Sequence, residues 1–109
     1  MADRLLVNKQ VFSNNTGGTI LSGASGDSQT VISILICETA GADETFTLDH
    51  CVANGSSPIT IYKDQSLPAK STFEHTSKIV VDDTDILKIT FGSNATVSVV
   101  CSYLQQDDA

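Results

Sequence analysis

Three aspartates, Asp82, Asp83 and Asp85, crowd in front of an alternating apolar run in VDDTDILKITF (81–91). Carboxylates this close could supply hard oxygen ligands for Ca²⁺. The spacing falls short of an EF-hand loop, which needs acidic or amide residues at alternate positions, a central glycine and a closing glutamate. An aspartate between two strands can instead accept backbone N–H bonds and stabilise the turn. The turn is the better reading, and Asp82, Asp83 and Asp85 are a weak Ca²⁺ candidate beside it.

His50 and Cys51 are the next residues that could do chemistry. Neighbours in a strand point to opposite faces, so the two cannot ligate one ion or act together as a Cys/His dyad. His75 is the only other histidine and lies in a different run. His50 is therefore expected as a half-buried histidine on a β face, with a pH switch as the sharper alternative. No G-x-S-x-G elbow, P-loop or dinucleotide fingerprint is present. GGTILSGASG has glycines, but neither the G-x-G-x-x-G order nor a helix to follow it. With no tryptophan and two tyrosines, Tyr62 and Tyr103, the aromatic platforms of sugar or single-strand binding are thin. No catalytic residue and no cofactor site is assigned, and the expectation is a protein that is not an enzyme.

Cys37, Cys51 and Cys101 are an odd number without close spacing. They are expected as three free, mostly buried thiols of a chain made in a reducing cytoplasm, the alternative being one disulfide and a spare thiol. MADRLLVNKQVF lacks an apolar core of signal-peptide length, and no segment approaches the ~20 apolar residues of a spanning helix. The sequons at Asn14, Asn54 and Asn94 are then chance products of an Asn/Ser/Thr-rich chain.

The elements that must position these residues are strands. Alternation with β-branched and aromatic enrichment recurs along the chain, and helical periodicity does not. RLLVNKQVFS (4–13) precedes a loop NNTGG, and TILS (19–22) precedes the small polar loop GASGDS. QTVISILICET (29–39) puts Val31, Leu35 and Cys37 on one face and Ile32, Ile34 and Ile36 on the other. Such a strand is covered on both sides, by its own chain or by a neighbouring subunit. ETFTLDHCVA (44–53) places Phe46, Leu48, His50 and Val52 on one face. ITIYKD (59–64) turns Ile59 and Ile61 inward and Thr60 and Tyr62 outward. After the connection SLPAKS come STFEHT (71–76), KIVV (78–81) and DILKITF (85–91), then a tight turn GSNA. ATVSVVCSYL (95–104) follows, with 105–109 expected as a solvated tail. About eight short strands at about ten-residue intervals predict one antiparallel β-sandwich over 1–109, jelly-roll-like in type.

A chain of 109 residues is one domain and is long enough for a single core. Thirteen acidic against six basic residues give a net charge of −7, and Arg4 is the only arginine. The electrostatic attraction that dominates nucleic-acid binding is missing, and an anionic membrane would repel the chain. Neither is an expected partner.

Taken in order, ISILICET, a strand of the FTL type, IYKDQSLPAKSTFE, KIVVDDTDILKI and the closing VSVVCSYL resemble a group of small structural proteins of tailed bacteriophages. The resemblance covers about residues 29 to 104 and rests on order and spacing. It implies a β-sandwich virion protein, most simply a capsid decoration or cement protein on the outer shell. Its implied partners are the major capsid protein and copies of itself, as a dimer or trimer. A place at the tail or head–tail junction, recognising another virion protein or a host glycan, is the alternative. Residues 1–28 depart from the shared core and are expected as an extra strand or a capsid-anchoring arm. Contacts are expected to vary at loops 14–18, 23–28 and 53–58.

Overall fold

A computed structural model describes residues 3–52 and 57–107. Among these residues seven strands run antiparallel: β1 (Arg4–Ser22), β2 (Asp27–Glu38), β3 (Glu44–Val52), β4 (Ser57–Leu67), β5 (Thr72–His75), β6 (Ile79–Val81) and β7 (Ile86–Asp107). No helix is long and apolar enough to cross a membrane among these residues.

The two longest strands organise everything else. β1 lies along β7 for nearly its whole length, from Arg4 opposite Gln105 to Ser22 opposite Ile86. On its other edge β7 holds two different neighbours. Its residues 97–107 pair with β2, while 86–91 pair with β3. β5 and β6 share the far edge of β2, and β4 borders β3.

One continuous sheet is thus folded into two leaves where β1 and β7 bend together. The first leaf is 4–12 of β1, 97–107 of β7, β2, then β5 with β6. The second is 17–22 of β1, 86–91 of β7, β3 and β4. With each long strand counted once per leaf and β5 with β6 taken together, this is the eight-strand order of a jelly roll.

The bend explains why two expected loops are absent. NNTGG and GSNA do not end strands, because the partners turn the corner while still paired, Asn15 with Ala95 and Gly17 with Thr90. Register shifts on both sides of Asn15 absorb the extra length, and Asn14 adopts φ 51°. Gly17 has φ 121°, and a Cβ there would lie 2.2 Å from the carbonyl oxygen of Ile89. Only glycine permits that approach.

Between the leaves lies a single apolar core including Ile34, Ile36, Phe46, Leu48, Leu87, Ile89, Val97 and Val99. Ring pairs bridge the leaves edge-to-face, Phe12 with Phe91 at 5.6 Å and Phe46 with Phe73 at 5.0 Å between centroids. Each fully buried aliphatic side chain contributes about 1.5–3 kcal/mol, so this layer drives folding.

Two facing assignments need correction. A bulge between Val31 and Ser33 resets the alternation of β2, so Val31 joins Ile34 and Ile36 in the core while Ile32 and Leu35 point out. In β4, register shifts against β3 place Tyr62 opposite Leu48. Tyr62 consequently packs against the core, and Ile59 is left exposed. Of the expected tail, 105–107 continue β7 opposite Gln29, Ser28 and Asp27. Residues 108 and 109 lie outside the described residues, as do 53–56 of the third loop and the Asn54 sequon. Residues 4–22 of the divergent N-terminal segment are β1.

Candidate functional site

Asp82, Asp83 and Asp85 occupy the turn from β6 to β7. The Asp85 N–H donates to the Asp82 carbonyl at 3.0 Å. The Asp82 N–H in return donates to Asp85 Oδ2, also at 3.0 Å. That same oxygen accepts a hydrogen bond from His50 Nε2 at 3.0 Å, with both side chains largely buried. Gly23, at the end of β1, packs under the turn and donates its N–H to the Asp85 carbonyl at 2.8 Å. A Cβ on Gly23 would sit 1.9 Å from the Asp82 carbonyl oxygen. Asp85 is therefore engaged with backbone and histidine, while Asp82 and Asp83 are exposed. Among the described residues no three His, Cys, Asp or Glu side chains gather as a metal site would require.

The His50–Asp85 pair was not legible from spacing, since the two lie 35 positions apart and meet only because β3 pairs with β7. Tyr62 and His75 were missed for the same reason. They meet across the leaves, Tyr62 Oη lying 2.6 Å from His75 Nδ1. His75 is 4% exposed, and its Nε2 has no hydrogen-bond partner among the described residues. The pair sits within an aromatic cluster with Phe46 and Phe73.

Glu38 is the most heavily bonded carboxylate among the described residues. It accepts backbone N–H bonds from Lys70 at 3.1 Å, Gly41 at 2.8 Å, Ala40 at 3.1 Å and Ala42 at 3.3 Å. The amide of Lys70 leads in holding its pKa below the usual carboxylate range, with the loop amides adding to it against the opposing effect of burial. Lys70 itself adopts φ 58° to deliver its N–H. Glu38 ties the β2–β3 turn to the β4–β5 connection. A cleft of about 410 Å³ opens beside them, lined in part by Asp43, Glu44, Thr45 and Ser93. Its carboxylates are likewise engaged, Glu44 with the Ser93 hydroxyl at 2.8 Å and Asp43 with the Ala69 N–H at 2.9 Å.

All three cysteines are free thiols, Cys51 and Cys101 buried and Cys37 half-buried. Burial pushes Cys101 up to about 11, so it carries essentially no thiolate at neutral pH.

The remaining feature is the outer face of the first leaf. Register places its outward residues in cross-strand rows: Leu5, Leu104, Thr30 and Val80; Val7, Ser102 and Ser33; Lys9, Val100, Leu35 and Glu74; Val11, Ser98, Cys37 and Thr72. Leu5 is 75% exposed, Val11 68%, Val80 54% and Ile32 41%. A shallow apolar hollow of about 550 Å³ lies among Leu5, Val7, Ile32 and Ser102. The outer face of an antiparallel leaf is normally polar, whereas here Leu5, Val7, Val11, Ile32, Leu35 and Val80 stand exposed among serines, threonines, Lys9 and Glu74. The double apolar character expected of 29–39 is thus real, and the described residues leave one side uncovered.

No family model matches the chain, and no curated protein matches it significantly. Solved structures do match. A subunit of the Bacillus endospore appendages, described as a novel family of disulfide-linked pili, superposes with a TM-score of 0.57 at 11% identity. The match covers 99% of this chain and 88% of that one. A Clostridium thermocellum xylanase 10B chain carrying CBM22-1 and GH10 modules gives 0.49 at 15% identity, over 95% of this chain and 26% of that one. A chain of infectious bursal disease virus, Gx strain, gives 0.48 at 10%, over 98% and 37%. The pilus likeness supports the fold, an antiparallel β-sandwich.

Proposed function

We propose that the chain is a non-enzymatic structural subunit of a tailed-bacteriophage virion, a decoration or cement protein on the outer capsid surface. It is made in the host cytoplasm, and its partners are the major capsid protein and copies of itself. The observation that carries this reading is the uncovered apolar face of the first leaf. A contiguous apolar patch on a small domain marks a surface that another protein covers. The groups that could have done chemistry support it, because Asp85, Glu38, Glu44 and Asp43 are spent on bracing turns. The pilus subunit of shared fold offers a fold-level analogy for assembly and no more.

The shell contacts are assigned to the bend of β1 at 14–18 and the connection at 23–28. A tail or head–tail position that recognises a host glycan would call for exposed aromatic platforms. Tyr62 packs against the core and Tyr103 is 7% exposed, so neither supplies one.

The test is to mix the purified protein with undecorated shells and follow their disruption temperature. Co-sedimentation with a raised temperature is the expected result. A protein that ignores shells and stays with isolated tails would overturn the capsid assignment.

A further inference from the structure

We infer that the outer face of the first leaf is a two-fold interface, on which a second copy of this chain packs face to face. The inference rests on the proposed function only in taking copies of the chain as partners. The occupant follows from where the charges lie. A chain with net charge −7 repels its own copies unless they meet through a face that excludes the acidic residues. Within the four rows of this face only Lys9 and Glu74 are charged.

Those two residues stand at opposite ends of one row. Lys9 on β1 is opposite Val100 on β7, Val100 is opposite Leu35 on β2, and Leu35 is opposite Glu74 on β5. Consider a two-fold axis in the plane of the interface, parallel to the strands and running between β7 and β2. It reverses the order of strands in the partner and leaves each row at its own level. Lys9 then lies over Glu74 of the second copy, and Glu74 over its Lys9. Val100 meets Leu35 in both directions. Two rows along, the exposed Leu5 on β1 falls on the exposed Val80 on β6. A single operation thus pairs both charges and covers the apolar residues at both edges, as an isologous contact requires.

The area is sufficient. Strands about 4.8 Å apart and rows about 7 Å apart give a projected face of roughly 500 Å². Two such faces bury about 1,000 Å², the lower bound for a specific interface. The dimer is accordingly expected to be concentration-dependent, with Kd in the roughly micromolar range, and to tighten when both copies are held on one surface.

The test is a charge exchange read by sedimentation velocity across a wide dilution series. Wild type is expected to move from monomer to dimer. Lys9→Glu alone sets two glutamates against each other and raises Kd about tenfold or more, the scale of a close interfacial charge pair. Glu74→Lys does the same with two lysines. The double variant Lys9→Glu/Glu74→Lys restores the wild-type Kd, and Val100→Glu abolishes the dimer. Both charged positions are solvent-exposed, so circular dichroism and Tm should stay at wild-type values, and the double variant's recovery excludes misfolding. A wild type that stays monomeric throughout, or a dimer unmoved by the single exchanges or not restored by the double, overturns the inference. Shell binding is scored separately. A charge-sensitive dimer that ignores shells upholds this interface and sinks the decoration reading, whereas a monomer that binds shells does the reverse.

Discussion

At the scale of single residues, the Glu38 carboxylate is a structural device whose strength depends on pH. Its ordinary pKa is 4.5, and the backbone N–H of Lys70, followed by those of the 40–42 turn, lowers it in the folded state. A carboxyl depressed by folding contributes stability that is present in full above its unfolded value and is lost as pH falls through the folded one. Glu38→Gln should therefore lower Tm at pH 7, and the gap to wild type should narrow as pH falls below about 4.5. Parallel melts down the pH scale check it; a gap independent of pH would show that the ionised form is not what matters. The aspartate turn makes a second prediction. Asp85→Ala removes the acceptor shared by His50 and the Asp82 amide and should cost about 1–2 kcal/mol, against under about 0.5 kcal/mol for the exposed Asp83→Ala. With Asp85 committed in this way, Ca²⁺ should leave Tm unmoved in wild type. A shift that EDTA reverses would restore the metal reading.

At the scale of elements, alternation carried most of the information, and bulges removed the rest. The core faces of β3 and β7 were readable because Phe46, Leu48, Leu87, Ile89, Val97 and Val99 obey a strict two-residue period. β2 and β4 were misread where an inserted residue reverses the facing of everything beyond it, at Val31–Ser33 and around Tyr62. A bulge depends on the partner strand, which local sequence does not contain. The site was less legible still. The sequence brought attention to Asp85, His50, His75 and Tyr62 separately, yet each pairing is made by strand order. The glycines of NNTGG looked like the end of a strand and are the hinge within one. Gly17→Ala should cost about 2–4 kcal/mol, since it combines a left-handed φ with collision against the Ile89 carbonyl. Urea denaturation measures it. A cost near zero would mean that the two long strands can bend elsewhere.

At the scale of the molecule, the first and last strands are each other's partners, so neither leaf is complete until the whole chain has been assembled. The entropy of closing such large loops must be met before any pairing repays it. Refolding is accordingly expected on the millisecond-to-second scale of non-local β proteins, followed by tyrosine fluorescence because the chain has no tryptophan. Deleting residues 1–22 takes an edge strand from both leaves together with the buried Ile20 and Leu21, and should abolish cooperative unfolding. The same adjacency of Arg4 and Gln105 has a mechanical side. Tension applied between the two ends of the chain would pull β1 and β7 apart crosswise, breaking their ladder one bond at a time from that end like a zipper. Load entering through the broad face of the first leaf would instead be shared by every strand of it at once. A subunit built this way is weak when hung by its ends and strong when clamped by its side.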